Sequence, residues 1–204
     1  MTQIEPLSAR TGRGAATRAR ILEVASELFT AHGIHEVSAD RIIEVVGITK
    51  VTFYRHFRTK EDLIVAFLEE RATLETAAFE GVWEETGGDA TKALEMLAVG
   101  IGAESCRPGF RGCPFINAAA EYADRESPVR KVVDVHRAWM VAYFSRVLAA
   151  AGVDRLEEAT DAAVVLRDGA MVSGYLTDAE AVAGTLRTMF HALVTEYRAE
   201  STRR

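Results

Sequence analysis

The chain has 204 residues, a formal net charge of −6, 49% apolar residues and 26% charged residues. That is enough to bury a core without staples, and it excludes a disordered or collagen-like chain. No charge-free stretch approaches the ~18 residues of a membrane helix, and the arginine-bearing N-terminus lacks the apolar run of a signal peptide, so a cytoplasmic location with no membrane partner is expected.

Divided by position, the charge has a different meaning. Residues 1–60 hold nine Lys/Arg against six acids, a balance of +3, while the remainder holds 15 basic and 24 acidic residues, a balance of −9. Four arginines and no acid lie between Pro6 and Leu22. Such asymmetry implies two tasks in one chain.

Almost every segment has helical periodicity, so an all-α fold is expected. Residues 1–14 are polar, with Gly12 and Gly14, and are expected to form a flexible basic arm. Residues 15–31 place Ile21, Leu22, Ala25, Leu28 and Phe29 on one helical face, and His32-Gly33 stops them. Ser38 stands as an N-cap before Ile42, Ile43 and Val46, and Gly47 breaks that segment. Thr49 caps a short segment carrying Phe53 and Phe57. Thr59 with Asp62 resembles a capping box before a longer helix through Leu63, Ile64, Phe67 and Leu68. A long helix, a short helix, a glycine turn and a second short helix make a helix-turn-helix pattern.

A second region starts near residue 70. Helices are expected over residues 89–105, 128–151, 154–176 and 178–199, with a bend at CRPGFRGCPF. The helix at 154–176 is apolar around most of its circumference, which suits burial or an interface. The expected divisions are therefore residues 1–14 as the arm, 15–60 as the helix-turn-helix and 61–204 as the second helical region.

The segment 37–64, VSADRIIEVVGITKVTFYRHFRTKEDLI, carries the chemistry. A helix in the major groove presents donors to base edges. The second short helix exposes Thr49, Lys50, Thr52, Arg55 and His56 while burying Phe53 and Phe57. Tyr54 offers a hydroxyl to a phosphate. Lys60 adds a positive charge at a helix start, and Ser38 can act similarly at its own cap.

This pattern resembles the TetR family of bacterial transcriptional regulators. The resemblance rests on "TAHGI" (residues 30–34), Gly47, "TFYRHF" (residues 52–57) and "KEDL" (residues 60–63), and covers about residues 17–67. It implies an all-helical homodimer joined through its last two helices, which reads an operator with inverted half-sites. It also implies bases near Lys50 and Thr52, phosphates near Tyr54, His56 and Lys60, and a larger C-terminal domain that binds a small effector. Val51 departs from the Gly, Ala or Pro often found there. The stretch RGCPFINAAAEYAD (residues 111–124) resembles a recurring C-terminal domain of the family without naming a compound.

For the effector, Phe115, Trp139, Met140, Tyr143 and Met171 offer apolar or aromatic walls, and Asn117, Glu121 and His136 offer polar groups; each fits a pocket or simple core. Arg167 and Asp168 interrupt the apolar helix and need pairing or a wet edge. Cys106 and Cys113 are free thiols in a reducing compartment, inert or, as the alternative, a redox sensor. No HxxxH, CxxC, phosphate loop or nucleophile elbow occurs, so neither metal, cofactor nor enzymatic activity is expected. The expected function is a ligand-responsive regulator, a repressor released by a small apolar or aromatic molecule.

Overall fold

The computed structural model describes residues 7–198. Among them there are nine helices and no strand, and no helix long and apolar enough to cross a membrane. The chain divides into two compact units, Met1–Glu70 and Arg71–Arg204.

Unit 1 contains α1 (Leu7–His32), α2 (Ala39–Val46), α3 (Lys50–His56) and the start of α4 (Lys60–Glu85). Its core is built from Ile21, Phe29, Ile42, Phe53, Leu63 and Phe67. The rings of Phe29 and Phe67 meet edge to face at 5.5 Å. Caps set the helix boundaries. Ser38 accepts from the Arg41 N–H at 3.1 Å and Thr49 from that of Thr52 at 3.2 Å. At α4, Thr59 and Asp62 satisfy each other's N–H groups reciprocally, at 3.1 and 3.0 Å. That is a capping box with aspartate in the acid position. Gly47 ends α2 in the left-handed region at φ 75°. There the N–H groups of Gly47 and Ile48 fold back onto Glu44 and Ile43, a Schellman stop that a side chain at this φ would strain.

The first helix differs from expectation. It begins at Leu7, so residues 7–14 of the expected arm are helical, while residues 1–6 lie outside the described residues. Ala15, Ala16, Arg18 and Arg20 are strong helix formers. Once nucleated, a helix propagates through two glycines that cost about 1 kcal/mol each. The division between units also falls inside α4 rather than at its start.

Unit 2 holds the rest of α4, then α5 (Ala90–Ser105), α6 (Pro114–Glu121), α7 (Pro128–Ala150), α8 (Leu156–Leu176) and α9 (Ala179–Tyr197). Small residues let the helices approach closely. A Cβ on Gly102 of α5 would stand 2.6 Å from that of Ala183 on α9. Tyr143, Phe144 and Phe190 fill the centre. The Tyr143 hydroxyl donates to the Phe79 carbonyl at 2.9 Å, and its pKa is pushed up to about 12 by burial, with Glu80 nearby. The expected all-round burial of α8 is only partly met. Ala163, Val164, Arg167 and Met171 face inward, whereas Val165, Val172, Tyr175 and Leu176 are exposed.

Candidate nucleic-acid interface and ligand cavity

In unit 1, α3 is anchored by one face and displays the other. Phe53 and Phe57 are buried, and Phe57 is further covered by the Arg18 guanidinium 4.7 Å from its ring centre. With those rings fixed, Thr49, Lys50, Val51, Tyr54 and Arg55 are exposed, and Thr52 and His56 are half-buried. The Tyr54 ring packs edge-on against Phe53 at 5.2 Å, so its hydroxyl end is carried on a rigid base. Val51 is 71% exposed, an apolar group on a helix of polar ones, of the kind that meets a thymine methyl.

Cations on this face are not equivalent. Lys50 pairs with Asp40 at 2.9 Å, and hydrogen bonding with that carboxylate raises its pKa. Arg41 pairs with Glu44 at 2.8 Å. Arg55 and Arg58 are exposed and have no ion-pair partner among the described residues. Arg58, which the sequence reading left out, is thus as available as Arg55; its signal was a basic residue between the buried Phe57 and the next cap. Lys60 directs its ammonium onto the Ile34 and His35 carbonyls at 2.7 and 3.3 Å. It therefore joins the start of α4 to the loop after α1. Ser38 and Thr49 are likewise occupied in capping, each with its hydroxyl exposed near a helix start.

In unit 2 a cavity of about 330 Å³ opens between α4, α5 and α8. Its apolar walls include Leu74, Phe79 and Val82 of α4, Met96, Leu97 and Ile101 of α5, and Met171 of α8. Ala78 and Gly100 leave the room. Its polar lining comprises Arg71, Glu75, Glu104, Arg107 and Arg167. Of the eight residues expected at the effector site, Met171 alone is in this lining. Phe115, His136, Met140 and Tyr143 are buried, and Trp139 packs edge-on to Phe79 at 5.6 Å. Their helical spacing reports the buried face of α7 and its neighbours. Asn117 is exposed and donates to the Arg111 carbonyl at 2.9 Å, and Glu121 is half-buried at the end of α6.

Arg167 is the charged centre beside this cavity, with 3% of its side chain exposed. It donates to Glu75 at 2.6 Å, to the Cys113 sulfur at 3.2 Å and to Asp168 at 3.2 Å. Glu75 in turn meets the His136 ring at 3.1 Å, and that ring stacks on Phe115 at 3.5 Å. Burial would raise the Glu75 pKa, but His136 and Arg167 outweigh it and hold the carboxyl below its ordinary range. Burial would lower that of Arg167, and the Cys113 sulfur and Glu75 reverse the effect. Cys113 is buried and Cys106 exposed, both free. Arg167 and Asp168 stand out in the sequence as needing partners; Glu75 and Arg71 do not, and their four-residue spacing on α4 is the signal that points to them.

Comparison with known proteins agrees with this arrangement. Residues 21–67 match the bacterial regulatory proteins of the tetR family, and residues 101–177 match the tetracyclin repressor-like C-terminal domain. A TetR-family transcriptional regulator from Streptomyces coelicolor is 36% identical and superposes with a TM-score of 0.86, covering 91% of this chain and 97% of that one. A TetR-family regulator from Agrobacterium tumefaciens shares the fold, with a TM-score of 0.77 at 20% identity over 91% of this chain and all of the other. HTH-type transcriptional regulators of Staphylococcus aureus are 46% identical over 46 residues, 22% of this chain and a quarter of their own length. The chain belongs to the TetR family: it is a DNA-binding transcriptional regulator of a non-enzymatic class.

Proposed function

We propose that this regulator is a homodimeric repressor released from its operator by a small molecule bound in unit 2. The observation that carries the reading is the α4–α5–α8 cavity. It has about 330 Å³ of space, mostly apolar walls and a few charged groups, the usual form of a ligand site. Helix α4 supplies residues to that lining, and its N-terminal end lies in the DNA-binding unit. Ligand that binds preferentially to one arrangement of α4 shifts the population of DNA-competent dimers by its differential affinity.

On the DNA side, Lys50, Val51, Thr52 and Arg55 are assigned to base edges, and Tyr54, His56, Arg58 and the Ser38 and Thr49 caps to phosphates. Lys60 acts mainly by holding the start of α4, with its charge adding to phosphate attraction. The basic N-terminal segment adds non-specific electrostatic affinity. A two-fold dimer then requires inverted half-sites. For the dimer contact, the exposed apolar stripe Val165, Val172 and Leu176 on α8, with Met189 on α9, supports pairing through the last two helices. Cys113 held against Arg167 favours a structural thiol over a Cys106–Cys113 redox couple.

The test combines assembly and DNA binding. Val172→Glu places a charge in the proposed contact at a position exposed in the single chain. Light scattering should find monomers with unchanged helicity, and operator affinity measured by anisotropy should fall at least about tenfold. A variant that remains dimeric and binds normally removes the α8–α9 contact. Replacing both cysteines by serine should leave the response to oxidants unchanged; an oxidant response that disappears with them would favour the redox reading.

A further inference from the structure

The cavity's polar lining is unbalanced in a way that selects a ligand charge. Three guanidinium groups, Arg71, Arg107 and Arg167, face two carboxylates, Glu75 and Glu104; Arg167 also holds Asp168 outside the lining, so the excess positive charge lies with Arg71 and Arg107. Every oxygen of both carboxylates already has a hydrogen-bond partner. Glu75 has one oxygen on Arg167 and the other on His136. Glu104 accepts from Arg71 through Oε1, at 3.2 Å, and from Arg107 through both oxygens, at 3.0 and 2.9 Å. A cationic ligand would share these acceptors with guanidinium groups already paired to them and would meet their positive charge.

Donors, by contrast, are in excess. Arg71 and Arg107 both donate to the one carboxylate of Glu104, and a second charge-assisted acceptor relieves that sharing. The remainder of the lining is aliphatic and aromatic. At about 30 Å³ for each water-sized group, 330 Å³ accommodates on the order of ten such groups.

We infer that the effector is an amphipathic monoanion, a carboxylate on an apolar body of about ten atoms, whose acid group bridges Arg71 and Arg107 in place of Glu104. This rests on the cavity being the effector site. Arg107, the more exposed of the two arginines, marks the end at which the acid lies, and the apolar body runs inward along Leu97 and Phe79 toward Arg167.

The experiment uses the full chain with three probes of one length: decanoate, 1-decanol and decylamine. Binding is followed by calorimetry, and each probe is also titrated into the operator complex. Decanoate should bind about tenfold or more tightly than decanol and release DNA, while decylamine binds more weakly still. The double variant Arg71→Gln, Arg107→Gln should reduce decanoate to the level of decanol without changing decanol. Glu104→Gln, which removes the competing carboxylate, should tighten decanoate. Gly100→Phe fills the cavity from a position where a Cβ meets open space, and should abolish binding of all three with operator affinity retained. Equal binding of the three probes, a preference for decylamine, or no binding by any of them overturns the anionic assignment. If probe binding disappears in Gly100→Phe but charge makes no difference, the ligand cavity stands and only its anion preference falls. If probes bind and Gly100→Phe leaves that binding intact, the anionic assignment falls together with the cavity on which it rests.

Discussion

The two units place their functional residues in opposite environments. In unit 1 the side chains assigned to DNA stand on the outer face of a seven-residue helix, and the fold's work is to hold Phe53 and Phe57 beneath them. In unit 2 Arg167 and Glu75 are withdrawn beside the cavity, and each depends on a partner from another helix: Arg167 of α8 on Glu75 of α4, and Glu75 on His136 of α7. Changes on the first surface should alter recognition with little effect on folding. Changes in the second network should alter folding before they alter anything else.

The largest effect expected from this contrast is at Glu75. Its replacement by Gln leaves the Arg167 guanidinium buried with weaker partners, and breaking a buried pair costs about 3–5 kcal/mol. Chemical denaturation should record that loss. The same carboxylate gives the pH dependence. Its folded pKa lies below its ordinary value of 4.5. Its contribution is therefore present above that value and declines as pH falls through the depressed folded one. Acid titration of the wild type and Glu75→Gln should show the curves converging below pH 4.5. Parallel curves would contradict the network.

Gly102→Ala should follow. Its added methyl stands within 2.6 Å of Ala183, an overpacking cost of about 1–3 kcal/mol, detectable as a lowered Tm. On the exposed side, Arg55→Ala should cost about 1–3 kcal/mol of operator affinity if it meets a base, with stability unchanged within about 0.5 kcal/mol. Arg58→Ala should instead weaken binding uniformly across sequences and lower the salt slope by about one. Thr49→Ala should show the smallest change, about 1 kcal/mol of stability from the lost cap. If the Arg55 variant lost stability rather than affinity, the contrast between the two units would fail.

The difference also explains what could be read from residues alone. In unit 1 the signals are local. Ser38, Gly47, Thr49 and Thr59–Asp62 each determine a helix boundary by a hydrogen bond within a few residues, so caps and turn appear where their residue types imply. Lys60 was the exception, since its carbonyl partners lie 25 and 26 residues back in the chain. In unit 2 the four expected helices were legible to within two residues, because periodicity and caps such as Asp89 and Ser127 are local too; α6 and the run of α4 to Glu85 were not. Nor was the cavity. Aromatic and Met residues on α7 have the same spacing whether they line a pocket or fill a core, and here they fill the core. Space arises instead where Ala78 and Gly100 come from different helices, a coincidence that periodicity along one helix does not encode. The first helix extended beyond its expected start because a helix already formed at Ala15 carries its N-terminal neighbours at low cost.

Selection of random duplex DNA by the purified protein at moderate salt decides whether the α3 surface reads sequence. An inverted repeat should be enriched, and its half-sites should lose preference at one or two positions in Lys50→Ala and Arg55→Ala. Binding without sequence enrichment, or enrichment unchanged by both variants, would contradict that role of α3.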